Sequence, residues 1–453
     1  MDASLEKRLK RQVIGKPHRF LAIAPLGFEQ TLVAELKKLN TEVSSDNEGD
    51  LKDSANTSSF TIGDGKVEFT AKITEAWKAV AYSRIANRVL MHIADFKAEN
   101  FREFEKKADD IPWELYLNDT TPQQVSIHVS CKHSRLYHSD AIAERLQKII
   151  EGGSLPLASV KPSATPSAGT PRNAPPQNIF VTLIDDRCTL WLDLAGEELY
   201  RRGHERFVNE APLKETIAAA MVFEAIEAVA SSQSITLLDP MAGSGTFSLE
   251  AAYTANKLIP GICRDFALKH QPAFKEATWN FIVKQGQASS NTPIDRTITS
   301  DISKRAIEII RHNVECSPLA SIDSSGNTSA IAPQLRDFFS YTAKEISDEC
   351  GDASPILVLN PPYGKRLDFN APKLYTQIGR YLATLASELK QLGKVLTVAI
   401  LAPKDDTHDG AKYTCTANLL HECPALSPEH NSAAKHISTS HGGFNLNVFI
   451  AKI

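Results

Sequence analysis

The most specific chemistry in the chain sits at Leu357-Val358-Leu359-Asn360-Pro361-Pro362-Tyr363-Gly364, an apolar run that ends in Asn-Pro-Pro-Tyr. Consecutive prolines fix the backbone and remove amide donors. The side-chain oxygen of Asn360 and the carbonyl of Pro361 are then left as fixed acceptors. Such a pair can hold both hydrogens of an exocyclic amine, whose lone pair otherwise delocalises into its base. It also aims that lone pair at an electrophilic carbon. Tyr363 offers a ring on which a flipped or splayed base can stack. The transfer needs no metal and no covalent intermediate. Alignment supplies most of the rate, and acceptors stabilise the charge that develops on nitrogen. Asn360, Pro361, Pro362 and Tyr363 are the candidate catalytic residues.

A second signal is Leu237-Leu238-Asp239-Pro240-Met241-Ala242-Gly243-Ser244-Gly245-Thr246, a strand ending in a glycine turn before a helix. Ligands of open α/β sheets sit outside the carboxyl ends of the strands, where glycines let backbone come close. Ser248 replaces the third glycine of the dinucleotide fingerprint, and no GKS or GKT follows any glycine loop. Asp239 at the strand end repels phosphate but suits a zwitterion with an ammonium and a sulfonium. S-adenosylmethionine fits that description better than NAD or ATP. Pro240, Gly243, Ser244, Gly245 and Thr246 join Asp239 as cofactor-binding candidates; a glycine turn needed only for packing is the alternative. Thr297-Ile298-Thr299-Ser300-Asp301 ends the next apolar run, where a carboxylate could hold two ribose hydroxyls with Ile302 beside it. The interval from the glycines exceeds the usual ~20 residues, so residues 260–291, irregular in pattern, are expected to be an excursion. Asp301 could instead cap the helix expected at 304–313; Ser303 could cap it equally well, leaving Asp301 for a ligand.

These residues need a scaffold. After Gly196, short apolar runs at 236–238, 297–299, 356–359 and 395–401 alternate with helical segments, the pattern of a parallel α/β sheet. Runs 436–440 and 446–450 flank Gly442-Gly443 as a closing hairpin. In the first half, strands are expected at 18–24, 89–96 and 125–131, with helices at 28–39, 73–89 and 141–150. Hairpins are expected at 61–71, pivoting on Asp64-Gly65, and at 179–194, turning at Asp185-Asp186. Residues 40–59 read as a polar loop. Residues 151–177 carry too few large apolar side chains to offset their ordering entropy, and are expected to be a mobile inserted loop. Trp113 is expected in the core. No internal repeat is evident, and the boundary between halves falls near residue 198.

With 453 residues, the chain is expected to hold two or three domains. Its 42% hydrophobic and 23% charged content is that of a soluble globular protein. No run approaches the roughly 20 apolar residues of a membrane helix. The basic start (Lys7, Arg8, Lys10, Arg11) lacks a following apolar core, so a secretory signal is not expected. The 7 cysteines are scattered without a CxxC pair, so neither a disulfide framework nor a metal site is expected, and the cytoplasm is the expected compartment. A net charge of −4 argues against nonspecific coating of nucleic acid. It is compatible with cations gathered on one face.

On these motifs, residues 211–453 resemble the class I methyltransferases that modify amino groups of bases. The resemblance implies a Rossmann-like α/β fold with a mostly parallel seven-stranded sheet, and S-adenosylmethionine as cofactor. Asp239, Gly243 and Gly245 match that family's cofactor loop, Asp301 its ribose-binding acid, and Asn360 to Tyr363 its catalytic loop. Asp337-Phe338 matches the pair beside the cofactor's adenine. Two earlier stretches, Ser83-Arg84-Ile85-Ala86-Asn87-Arg88-Val89-Leu90 and Val129-Ser130-Cys131-Lys132-His133-Ser134-Arg135-Leu136-Tyr137-His138, resemble the THUMP domain, an RNA-binding module, preceded by a small ferredoxin-like α+β domain. Gly196-Glu197-Glu198-Leu199-Tyr200-Arg201-Arg202-Gly203 and Ala211-Pro212-Leu213-Lys214-Glu215-Thr216 look like the junction of THUMP-containing methyltransferases.

The implied domains are ferredoxin-like 1–74, THUMP 75–197 and methyltransferase 198–453. The similarity runs from about residue 18, apart from loops at 41–60, 151–177 and 317–333. By pattern the chain is similar to the 23S ribosomal RNA guanine-N2 methyltransferases, which in several bacteria are fused to a second methyltransferase. One activity is expected here, on 23S rRNA or a pre-ribosomal particle. Lys132, His133, Arg135, His138, Arg201, Arg202 and Arg206 could contact phosphates, although ordinary solvated cations would look the same. Transfer RNA guanine-N2 remains an alternative target. DNA adenine-N6 and protein glutamine enzymes share the loop but not the N-terminal segments, and a non-catalytic RNA-binding assembly factor is a third class. Guanine is preferred over adenine on the resemblance alone, since Asn360 can hold either amine.

Overall fold

Alternating burial along short strands builds the first of two seven-stranded sheets. The computed structural model describes residues 3–41, 59–118, 120–121, 124–152, 174–208, 212–229, 233–289, 293–321, 331–363, 370–408 and 411–453. The expected loops at 40–59 and 151–177 lie mostly outside the described residues, as do residues 322–330 of the loop at 317–333. The chain divides into two compact units. Unit 1 comprises Met1–Ile23, Leu36–Arg201 and Arg264–Gln285, and unit 2 comprises Ala24–Glu35, Arg202–Cys263 and Gly286–Ile453.

In unit 1 the strands are β1 (His18–Ile23), β2 (Thr61–Gly63), β3 (Lys66–Ala71), β4 (Arg88–Lys97), β5 (Val125–Lys132), β6 (Gln177–Ile184) and β7 (Arg187–Asp193). They form one seven-stranded sheet in the order β2-β3-β1-β4-β7-β6-β5. The β1–β4 and β4–β7 pairs are both antiparallel, so the stretches expected as ferredoxin-like and THUMP domains share a single sheet. The β6–β7 turn places Asp185 and Asp186 at φ 49° and 62°, the two positive φ values that a tight hairpin matching strand twist requires. The helix expected over 73–89 covers only Ile73–Tyr82. Ser83 then turns extended, and its hydroxyl accepts from the Ala86 amide at 2.9 Å, leading into β4.

The stretch expected as an excursion of the second half contains a helix, Glu276–Ser289, and residues 264–285 group with unit 1. Its apolar residues make a narrow seam: the Phe274 ring lies 5.7 Å from Trp77, and Trp279 lies 5.5 Å from Phe266. The Tyr82 hydroxyl donates to the Ile282 carbonyl at 2.7 Å. Trp113 is buried, its indole N–H donating to the Ala108 carbonyl.

Unit 2 carries β8 (Ile235–Asp239), β9 (Ile294–Asp301), β10 (Gln334–Leu335), β11 (Ser354–Leu359), β12 (Thr397–Pro403), a small hairpin β13 (Asp406–His408) and β14 (Ala411–Tyr413), then β15 (Lys435–His441) and β16 (Phe444–Lys452). Its seven-stranded sheet runs β10-β9-β8-β11-β12-β16-β15. The first five strands are mutually parallel, and β16 is antiparallel to both β12 and β15. All residues of β8 and β12 are buried, as expected for a parallel sheet covered on both faces. Leu238, Ile298, Leu357, Leu359, Ile378, Leu382, Val398 and Phe449 lie in one core cluster. This α/β sheet is Rossmann-like, and the carboxyl ends of β9, β8 and β11 lie side by side. Among the described residues, no helix is long and apolar enough to cross a membrane.

Candidate active site

The chain leaves β8 at Asp239 and turns through Gly243 and Gly245, at φ 57° and 78°, into the helix Thr246–Ala255. A Cβ on Gly245 would approach the Ile310 side chain to 3.1 Å, whereas one on Gly243 would meet nothing within 4 Å. Glycine is therefore needed at 245 for packing as well as for conformation, and the backbone at 243 faces open space. The Gly243 amide donates to Asp301 Oδ2 at 2.8 Å, and Asp301 Oδ1 accepts from the Ser303 amide at 2.8 Å. Ser303 also caps the following helix, accepting from the Ala306 amide. Asp301 thus ties the glycine turn to the end of β9. Ile302 is 71% exposed and Leu335, in register with Asp301, is 52% exposed. Two bare apolar side chains at adjacent strand ends suit a flat aromatic group. Leu335 carried no signal in the sequence, because β10 is only two residues long.

Asp239 is buried. Its Oδ2 accepts from the Ser248 amide at 3.1 Å and from the Ser248 hydroxyl at 2.7 Å, and that hydroxyl accepts from Thr299 at 2.7 Å. Ser248 stands where a dinucleotide fold has its third glycine because its hydroxyl holds the acid. Asp239 Oδ1 is a buried acceptor with no partner among the described residues. A buried carboxylate oxygen of this kind fits a cationic ligand group, as S-adenosylmethionine would present.

Burial pushes the Asp239 carboxyl up to about 7; the Ser248 hydrogen bonds oppose the rise and the Asp301 charge adds to it. An unfolded aspartate titrates near ~3.9. Folding therefore favours the protonated acid, and that stabilisation is present below about pH 4 and is lost as pH rises through about 7. Asp239→Asn is expected to gain stability relative to the wild type as pH rises across this window, reaching about 4 kcal/mol above about pH 7 in denaturant unfolding. A gap independent of pH would contradict the assignment.

Asn360 follows β11 directly. Its Oδ1 is buried and has no partner among the described residues. Pro361 is buried and Pro362 exposed, while burial pushes the Tyr363 phenol up to about 12. The Tyr363 ring meets Phe444 edge-on at 5.8 Å, and Phe444 is 41% exposed. Gly364 lies outside the described residues. Because β11 pairs with β8, with Leu357 opposite Leu238, the two unpartnered oxygens of Asn360 and Asp239 belong to neighbouring strand ends. Asp337 is exposed and accepts from the Phe339 amide at 3.0 Å, capping a short turn. The Phe338 side chain is buried against Phe339 and Tyr381, so only its backbone is available beside a ligand.

The cations expected to meet RNA separate into four settings. Lys132 ends β5, and His133, Arg135 and His138 lie in the exposed loop that follows it in unit 1, with Tyr137 66% exposed beside them. Arg135 is paired to Glu99 and lies 3.8 Å from Asp186, so its charge is partly neutralised. Arg201 is exposed at the end of unit 1, its carbonyl accepting from Arg264 at 2.9 Å. Arg202 corrects the expectation of a phosphate contact: its side chain is 2% exposed and its Nε donates to Glu250, itself 1% exposed, at 2.9 Å. A buried ion pair offers nucleic acid no face.

Arg206 also departs from the expectation, because it lies at the glycine loop. It is paired to Glu215, and its other terminal nitrogen donates to Ser244 Oγ at 3.3 Å and to Thr246 Oγ1. Asn313, which drew no attention in the sequence, is fully buried. It accepts from the Phe207 amide at 2.7 Å and donates to the carbonyls of Phe207 (2.9 Å) and Ser244 (3.0 Å).

Residues 202–399 match the family described as an RMKL-like methyltransferase domain. The chain is 27% identical over 379 residues to the ribosomal RNA large subunit methyltransferase K/L of Syntrophotalea carbinolica, covering 81% of this chain and 48% of that protein. It spans about half the length of the curated relatives it matches. Its fold is similar to that of SMU.472 crystallised with SAH, with a TM-score of 0.69 and 22% identity over 96% of this chain and 98% of that one. It is likewise similar to a protein from Listeria monocytogenes described as a predicted N6-adenine-specific DNA methylase, with a TM-score of 0.66, 22% identity and 96% of each chain covered. The sheet order and the acidic glycine loop accompany the match of residues 202–399 to an RMKL-like methyltransferase domain, and the fold they build is Rossmann-like.

Proposed function

We propose that the protein is an S-adenosylmethionine-dependent RNA methyltransferase acting on the exocyclic N2 of a guanine in 23S ribosomal RNA, free or in a pre-ribosomal particle. The observation that carries this reading is the buried, unpartnered Asn360 Oδ1 on the strand next to the glycine loop. When bound, S-adenosylmethionine supplies a methyl group on a sulfonium as the electrophile. Asp239 Oδ1 would offer an anionic partner to its ammonium end, the Asp301 carboxylate at the end of β9 would serve the ribose, and the exposed Ile302 and Leu335 would receive the adenine. Asn360 Oδ1 and the Pro361 carbonyl accept the two amine hydrogens and hold them away from the base plane. As positive charge develops on nitrogen, these acceptor bonds strengthen, which lowers the barrier rather than tightening ground-state binding. Tyr363 and Phe444 provide an aromatic corner against which the base rests.

The RNA reading is supported by the naming of the curated relatives and by the cationic loop of unit 1. Continuity of one sheet through unit 1 supports treating it as a single RNA-binding platform of THUMP type. Lys132→Ala is expected to weaken RNA binding uniformly and reduce the slope of log affinity against log salt by about 1. Arg135→Ala should change that slope less, because Glu99 and Asp186 already offset its charge. Salt titrations of filter binding would check both.

The deciding experiment presents methyl-labelled S-adenosylmethionine with unmodified 23S rRNA, transfer RNA and duplex DNA in parallel. Label confined to 23S rRNA is expected. Label in transfer RNA alone would keep the chemistry and move the target. Label in DNA would overturn the reading of unit 1, and label nowhere, with naked RNA and with ribosomal particles, would leave a non-catalytic RNA-binding factor.

A further inference from the structure

We infer that Arg206 receives the α-carboxylate at the methionyl end of the cofactor, and so sets specificity for a cofactor that carries an intact amino-acid group. The inference rests on the cofactor reading above. A zwitterionic end needs a cation as well as an acid, and the strand ends beside the glycine loop present the carboxylates Asp239 and Asp301. Arg206 brings a guanidinium to the same loop, bonded to the hydroxyls of Ser244 and Thr246 on either side of Gly245. Its side chain is only 11% exposed. One terminal nitrogen is held by Glu215 and the other by the two hydroxyls, yet Nε is a buried donor with no partner among the described residues. An arginine fork accepts a carboxylate through paired, parallel N–H groups, so an unused Nε beside a glycine turn points to an anionic ligand group.

The segment that carries Arg206 is pinned on both sides. Asn313 bonds both backbone groups of Phe207 and the Ser244 carbonyl. His204 lies 3.0 Å from the Tyr253 hydroxyl on the helix that follows the glycine turn. Glu215 fixes the rotation of the fork and balances its charge within unit 2. A cation placed this firmly loses little freedom when it meets a ligand, so its contribution appears in affinity.

The alternative is a strut that merely braces the glycine loop against Glu215. Calorimetry with S-adenosylhomocysteine and with its descarboxy analogue, S-adenosyl-3-thiopropylamine, separates the two. The wild-type chain is expected to bind the carboxylate-bearing ligand about 10- to 100-fold more tightly. In Arg206→Met that ratio should fall to about one, through weaker binding of S-adenosylhomocysteine, with analogue affinity unchanged within about twofold. Arg206→Lys should keep part of the ratio, since a point charge replaces a fork. Arg206→Met/Glu215→Gln removes the unpaired acid that the single change leaves. It should show the same collapsed ratio, with a thermal melt without ligand confirming that it folds. A ratio retained in these variants, whether both ligands weaken together or not at all, overturns the inference in favour of the strut. Equal binding of both ligands by the wild type overturns it while leaving the cofactor reading intact; binding of neither removes both.

Discussion

Asn360→Ala is expected to slow methyl transfer by about a thousandfold while leaving S-adenosylhomocysteine affinity within about twofold. The magnitude follows from what loss of one preorganised polar contact to developing charge costs elsewhere, about 10²–10³ in turnover. Asn360 Oδ1 is buried and makes no hydrogen bond to the described residues. Deleting it removes no bond of this oxygen to the described residues and should leave the fold intact. The cofactor contacts proposed for Asp239 and Asp301 lie on β8 and β9, so they should survive the change. The kinetic signature is a fall in kcat and kcat/KM together, which marks an interaction made only in the transition state. A parallel loss of cofactor affinity in calorimetry would mean that the Asn-Pro-Pro-Tyr turn shapes the pocket instead.

Arg202→Met is expected to lower the unfolding free energy by about 3–5 kcal/mol, because it leaves Glu250 as a buried charge without its partner. Arg202 and Glu250 are both almost wholly buried and bonded at 2.9 Å. The double variant Arg202→Met/Glu250→Leu should recover most of that loss, since replacing a buried pair by apolar groups of similar size is often neutral. RNA affinity, measured below the unfolding transition, should not change. Urea unfolding curves of the three proteins check the prediction. A change within about 0.5 kcal/mol for the single variant, the usual range of a surface substitution, would restore Arg202 to the surface cations.

The contrast between Arg202 and Asn360 indicates what could be read from residue types. Short, fully buried runs such as those of β8 and β12 announce a parallel sheet, because no exposed face interrupts their apolar character. The glycine turn and the Asn-Pro-Pro-Tyr turn were equally legible, since glycine and proline dictate backbone locally. Arg201, Arg202 and Arg206 look alike as letters, yet one is exposed, one is buried against Glu250 and one lies on the glycine loop. Those fates depend on partners 48 and 38 residues away.

Asn313 and Ser248 matter for the same reason: each completes a bond between elements far apart in sequence. The helix Glu276–Ser289 was missed because its aromatic seam is completed by Trp77 and Phe266, outside any local window. The joining of two expected N-terminal domains into one sheet depends on the β1–β4 and β4–β7 pairings, which no local pattern encodes.

On the proposed function, this chain transfers a methyl group from S-adenosylmethionine to an exocyclic amine held by Asn360 and Pro361. The most direct measurement digests the labelled RNA product to nucleosides and compares it by mass spectrometry with standards methylated at guanine N2, guanine N1, adenine N6 and the ribose 2′-hydroxyl. All label in N2-methylguanosine is the predicted result, with none when Asn360→Ala replaces the wild type. Label on guanine N1 or on the ribose, neither of which presents an amine with two hydrogens to these acceptors, would contradict the account.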